Sequence, residues 1–363
     1  MQASEISTTS VSPPQRPLPP PLAGPRQRPR SLQFGLFLAA LAWYNCARLL
    51  AASAASGLAL RFDLGDEQPL MKALCMLFLV VCGVALLRVV EHRRAPLGLV
   101  LGLPQRATVR SEWALGAAIG WGLAVATILP MALGRALDVQ FWTDPRAFLL
   151  LGLSLSALAV GTLAHALAVF GYGFQRLIEA TGPVRATLVV IALVAVHAGL
   201  TPTPDGTPDG TRILVAMLAC LLLCLCWFRT HGLWLLWGLH FAWAASTAVL
   251  FGLPIGGVAA YASVVDTRTI GPAWLTGGAF GPAAAAISIL LLLGAVPILV
   301  RVTGDYAWNY THPPIIPAGY DVTIAPPAAH VAMEQAAQPV NPASLVQILP
   351  VASAGPDQRN PHE

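Results

Sequence analysis

Long apolar runs, broken by short polar or Pro/Gly-rich stretches, fill the chain from residue 33 to residue 300. Eight of them approach the roughly 20 mostly apolar residues that a helix needs to cross a bilayer. They are 33–57, 68–90, 113–134, 147–175, 184–201, 211–228, 232–252 and 278–300. No alternating ten-residue pattern marks a membrane barrel. Lipid cannot satisfy the open edge of a sheet, so the runs predict helices. The expected fold class is therefore all-α: a polytopic integral membrane protein of about eight transmembrane helices. Gly116 and Gly120 form a small-xxx-small face suited to close helix packing. Trp142, Trp227, Trp234 and Trp274 sit near segment ends, as interfacial aromatics do.

Composition agrees with this pattern. Of the 363 residues, 56% are hydrophobic and 10% charged, and the mean hydropathy is +0.67. A soluble domain carries about 25% charged residues. Residues 1–31, rich in Pro, Ser and Arg, and residues 303–363, rich in Pro, Ala, Gln and Asn, cannot bury enough apolar area to fold. The expected organisation is a tail over 1–31, a membrane domain over 32–302 and a second tail over 303–363. Arg26, Arg28 and Arg30 precede the first run and small residues occupy 51–56, as in a cleaved signal peptide. The run continues past those residues, which favours an uncleaved helix. Asn309-Tyr310-Thr311 fits a glycosylation sequon, a pattern short enough to occur by chance. Cys46, Cys75, Cys82, Cys220, Cys224 and Cys226 all fall in apolar segments without a CxxC pair and read as small hydrophobes.

The positions of the charges set the orientation. Arg16, Arg26, Arg28 and Arg30 precede the first run. Arg88, Arg93, Arg94, Arg106 and Arg110 lie between the second and third. Arg176, Arg185, Arg229 and Arg301 mark later ends of the same parity. The opposite loops carry Asp63, Asp66, Glu67, Asp138, Asp144, Asp205, Asp209 and Asp266. The positive-inside rule then places both termini in the cytoplasm, as an even number of spans requires. The expected location is a plasma membrane, a bacterial inner membrane in particular, with membrane lipid as the surrounding partner. The formal net charge of +4 gives no sign of nucleic-acid binding.

Few polar groups lie within the runs, and such groups tend to mark function. Asn45 and Arg48 occupy the outer half of the first, where Arg48 can snorkel to the interface. Three histidines remain: His165, His197 and His240. Counted from the cytoplasmic side at about 1.5 Å per residue, they lie roughly 15, 20 and 10 Å deep. Tilt makes these depths compatible with one layer. Three imidazoles from three helices would suit zinc, which accepts three His and a water. Each could equally bond a neighbouring carbonyl or hydroxyl. The chain has no G-x-S-x-G, no HExxH and no intrahelical aspartate pair.

Several stretches resemble the CPBP family, the Abi or CAAX-prenyl-protease-type intramembrane metalloproteases. The segment 171–177, Gly-Tyr-Gly-Phe-Gln-Arg-Leu, is similar to the end of that family's first motif, EExxFRGY, and is followed by Gly182-Pro183. Leu193-x-x-x-His197 resembles the second motif, F-x-x-x-H. Residues 229–234 resemble the turn before the third motif, H-x-x-x-N, and 238–243 match that motif closely at His240. Residues 275–282 resemble the stretch before the family's last helix. The likeness covers about residues 96–300.

The resemblance implies metal-dependent peptide-bond hydrolysis at an intramembrane cavity that opens to the cytoplasm, on a prenylated or hydrophobic peptide. It makes His197 and His240 the catalytic candidates, while the shared depth of His165, His197 and His240 makes those three the zinc candidates. The other positions depart from the motifs. His165 and Ala166 stand where the two glutamates belong, Phe170 replaces the arginine and Ala244 replaces the asparagine. Losing an oxyanion donor costs about 10²–10³ in rate, and losing the general base about 10²–10⁴ more. The expectation is a scaffold whose hydrolytic activity is impaired. Two alternatives are a non-catalytic binding or regulatory membrane protein and an active three-histidine zinc hydrolase.

Overall fold

The computed structural model describes residues 29–64, 68–91, 95–141, 147–204 and 206–306. The expected tails, Trp142 and the sequon at 309–311 lie outside these residues, apart from 29–31 and 303–306. The chain divides into two units, Met1–His312 and Pro313–Glu363, and all the described residues belong to the first.

The apolar runs form helices that, apart from the amphipathic stretch Tyr172–Thr181, are apolar all round rather than along one stripe, the mark of a helix bathed in lipid or fully buried. They are α1 (Arg30–Phe62), α2 (Gln68–Val90), the short α3 (Leu97–Val100), α4 (Val109–Leu133), α5 (Ala147–Ala166), α6 (Tyr172–Thr181), α7 (Pro183–Leu200), α8 (Asp209–Thr230), α9 (Trp234–Ala245), the short α10 (Ala273–Thr276) and α11 (Ala286–Val302). A π-helical turn over Leu167–Gly171 joins α5 to α6, and another over Ser246–Leu250 extends α9. Among the described residues six helices are long and apolar enough to cross a membrane, α5 and α6 together forming one of them. The apolar stretches Trp234–Leu250 and Ala286–Val302 are shorter. Leu133, Phe148, Leu188 and Leu290 stand exposed on the outer surface. Water would oppose such a belt of large apolar side chains and lipid favours it. The protein is a mostly helical, membrane-embedded chain.

Local chemistry sets several boundaries. Asp63 ends α1 in the left-handed conformation, its N–H bonded to the Ala59 carbonyl. Gly182 at φ 88° and Pro183 at the start of α7 separate α6 from α7. Glycine takes that conformation without a Cβ penalty, and the missing proline N–H would have had no helical partner. The last run begins later than its composition suggests. Residues Gly278–Phe280 and Pro282–Ala284 form 3₁₀ turns around Gly281, and regular helix starts only at Ala286.

Packing is closest between α4 and α9. A Cβ at Gly116 would meet the Leu235 carbonyl, one at Gly120 the Leu239 carbonyl, and one at Gly238 the Trp113 carbonyl. The small-residue face read from the sequence is thus the seat of the helix that carries His240. On α2, Gly83 leaves room for the Trp43 indole of α1, whose Nε1 donates to the Leu79 carbonyl at 2.8 Å.

Polar contacts gather at two opposite ends. At the arginine-rich end, the fully buried Arg176 donates to Gln33 at 2.9 Å, to Glu91 at 3.1 Å and to Glu179 at 2.6 and 2.7 Å. Tyr172 adds a hydrogen bond to Glu91 at 3.0 Å. These contacts tie α1, α2 and α6 together. Arg106 pairs with the buried Glu112 at the start of α4 and donates to the Thr230 carbonyl at the end of α8. Arg229 donates to Thr303 and to the Val300 carbonyl, joining the ends of α8 and α11. At the other end two strands that the sequence reading did not anticipate, β1 (Leu137–Phe141) and β2 (Val265–Thr269), pair antiparallel with Asp138 opposite Arg268.

Candidate functional site

The site sits where α1, α5 and α9 approach one another, with the exposed Arg48 of α1 and His197 of α7 meeting at its edge. His165 lies two residues before the π turn, which interrupts the helix just beyond it. Single π turns recur at functional positions because they re-aim side chains without ending a helix. The His165 and His240 rings meet edge to face, 5.4 Å between centroids at 74°. The Tyr44 hydroxyl lies 3.4 Å from His165 Nδ1. Phe170 covers another side of His165 at 6.5 Å, and Phe174 backs Phe170 at 6.0 Å.

His197 is placed differently. It lies within electrostatic range of His165, but its Nε2 faces Arg48 Nη1 at 3.3 Å. A guanidinium can only donate, so the imidazole must accept at Nε2 and carry its proton on Nδ1. Arg48 therefore does not only snorkel away from the bundle; it reaches across to α7. Asn45, the other polar residue noted on this helix, turns back to its own helix and donates to the Leu41 carbonyl at 2.9 Å. His240 Nδ1 is buried without a hydrogen-bond partner among the described residues.

The structure thus joins His165 and His240 as a contacting pair and gives His197 an arginine partner. Among the described residues, no group of three His, Cys, Asp or Glu side chains is arranged to hold a metal ion. At the motif positions that depart from the family, Ala166, Phe170 and Ala244 are buried apolar packing residues.

A cavity of about 370 Å³ adjoins the cluster. It is lined by Tyr44, the exposed Arg48 and His165 and, toward the strand pair, by Gln68, Lys72 and Tyr261. Gln68 is the first residue of α2, and Tyr261 belongs to the loop between α9 and β2. We take that side, away from the arginine-rich end, as its mouth. Sequence reasoning missed Tyr44, Gln68 and Lys72. A signal for them exists: Tyr44 and Arg48 on α1, Gln68, Lys72 and Met76 on α2, and Ala157, Gly161 and His165 on α5 each follow a spacing of four. That spacing gives one stripe per helix.

Compared with known proteins, the chain matches no family model, no curated protein and no solved structure.

Proposed function

We propose that the chain is an eight-crossing membrane protein that uses a CPBP-like scaffold for binding rather than for peptide hydrolysis. The observation that carries this reading is the contact between Arg48 and His197. At that family's metal site a cation and a water-activating carboxylate are expected, whereas here a fixed guanidinium faces a histidine nitrogen. No Asp or Glu side chain bonds to His165, His197 or His240 among the described residues. Arg48 engages one ring nitrogen of His197 and Tyr44 lies beside one of His165, which supports binding over a three-histidine zinc site. The ligand class this favours is a lipid or a hydrophobic peptide, a prenylated one included, reached from within the membrane.

The helix-end contacts support eight crossings. Gln33 near the start of α1 and Thr303 just past α11 both belong to the arginine-rich end, so the number of crossings between them is even. The six long helices and the two shorter apolar stretches supply eight. The positive-inside rule then assigns that end and both termini to the cytoplasm, and the fitting location is a bacterial inner membrane. In this orientation the cavity mouth faces outward, opposite to what the family resemblance implies.

A second reading, an active zinc hydrolase, is favoured by one feature, the unpartnered Nδ1 of His240. Elemental mass spectrometry of detergent-purified protein, beside a His197→Ala/His240→Ala double variant, separates the two. The expected result is no bound zinc in either sample and no cleavage of a prenylated CAAX-type peptide. About one zinc per chain, lost in the double variant, with cleavage that depends on His240, would establish the hydrolase instead.

A further inference from the structure

Apart from its place beside the histidines, the cavity has a charge of its own. Arg48 and Lys72 both line it. Arg48 contacts His197, and neither cation forms an ion pair with a carboxylate among the described residues. Arg48 uses one donor on His197 and retains the others of its fork. Tyr44, Gln68, His165 and Tyr261 add neutral donors and acceptors, and among the described residues no acidic side chain lines the cavity. Two cations without counter-charge, in a recess walled on its remaining sides by Ala51, Ala73, Met76 and Gly161, form an anion site with an apolar flank. Both residues are exposed on apolar helices, where cations persist when they face a partner or an aqueous cavity. The volume falls in the range of about 300–1,000 Å³ typical of ligand pockets.

We infer that this cavity binds a phosphate-headed anion, the phosphate held by Arg48 and Lys72 and the attached apolar part lying against Met76 and the small residues of α1, α2 and α5. The chemistry is a phosphate mono- or diester, and it has two sources: an anionic phospholipid entering from the bilayer, or a water-soluble phosphate entering at the mouth. Guanidinium and ammonium groups form the short, charge-assisted hydrogen bonds that such oxygens accept. The inference deepens the binding role proposed above but needs neither the zinc question nor the family resemblance.

The test uses full-length protein in a neutral detergent, titrated with dioctanoyl phosphatidylglycerol, dioctanoyl phosphatidylcholine and inorganic phosphate, with binding read by native mass spectrometry and thermal shift. The anionic lipid is expected to bind and stabilise, the zwitterionic one to bind at least about tenfold more weakly, and Lys72→Gln to weaken the anionic lipid by about tenfold or more. Lys72→Arg should restore binding. Competition by inorganic phosphate at similar concentration would support the site and assign it to a soluble ligand; failure to compete would support it and assign it to lipid. Lys72 is exposed near a helix start, so its replacement leaves folding intact. Met76→Trp, which fills the apolar flank, provides a second variant expected to block the lipid. Equal binding of the two lipids, or affinities unchanged in both Lys72→Gln and Met76→Trp, would overturn the inference. Zinc-dependent hydrolysis found in the earlier experiment would overturn the binding-only role while leaving this result to stand or fall on its own.

Discussion

Arg48 shows how one side chain alters the reading of a site. In the sequence it is an arginine in an apolar run, and its long stem allows escape to the interface. In the structure it faces His197 Nε2. A divalent metal at the histidines would stand close to this cation. At an effective dielectric of about 20, two unit charges 4 Å apart repel by about 4 kcal/mol. Arg48→Ala is therefore expected to raise affinity for cobalt(II), a spectroscopic stand-in for zinc, by at least about tenfold in a visible-absorption titration. Unchanged affinity would mean that the guanidinium does not guard the histidines. Arg176 carries a second prediction at this scale. Its fully buried guanidinium is shared by Gln33, Glu91 and Glu179. Arg176→Met is expected to destabilise the protein by about 3 kcal/mol, since breaking a buried pair strands its partner's charge. Thermal unfolding in detergent measures this, and a loss below about 1 kcal/mol would contradict it. His165, His197 and His240 were legible because imidazoles are rare in apolar runs. Tyr44 was not, since a tyrosine in such a run reads as packing. Glu91 and Glu112 were hidden for another reason: charges at helix ends look solvated until burial is known.

At the scale of elements, the apolar runs located the helices well, and their errors have local causes. The run 278–300 contained Gly281 at φ 95° and Pro282, which impose 3₁₀ turns before regular helix at Ala286. The π turns at Leu167–Gly171 and Ser246–Leu250 had no sequence signal, because uniformly apolar residues satisfy α and π geometry alike. The strands were obscured by separation. Leu137–Phe141 alternates apolar and polar residues, but its partner begins more than a hundred residues later, and five residues are a weak pattern alone. The small-residue face was legible down to its residues, though the partner helix was not. Gly120→Val tests that packing. Its added carbons would meet the Leu239 carbonyl, backbone that cannot swing aside. The expected cost is about 1–3 kcal/mol, the usual range for overpacking. Gly122→Ala, on the same helix with open space around it, should stay within about 0.5 kcal/mol. Equal melting temperatures for the two variants would dismiss the close α4–α9 contact.

For the whole molecule, arginines that carry the charge pattern also carry contacts between helices. The sequence places arginines at alternate helix ends. The structure joins those ends through Arg106, Arg176 and Arg229, each bonded to another helix. These arginines are thus more than signals to an insertion machinery; they also clamp the bundle, and the two roles reinforce each other only if that end stays on one side of the membrane. The cavity, by contrast, reaches toward the far end, where Gln68, Lys72 and Tyr261 line it. Orientation therefore decides which compartment supplies the ligand. In a bacterial host, a fluorescent protein fused to the chain's C-terminus, of a kind that matures only in the cytoplasm, is expected to be bright. The matching fusion to a phosphatase active only outside should be silent. A cysteine introduced as Ala260→Cys, exposed on the mouth side, should react in intact cells with a maleimide that cannot cross the membrane. One introduced as Glu179→Cys, 42% exposed at the arginine-rich end, should react only after the cells are broken. The reverse labelling would turn the cavity toward the cytoplasm, where the family resemblance places it, and the ligand would then have to come from inside the cell.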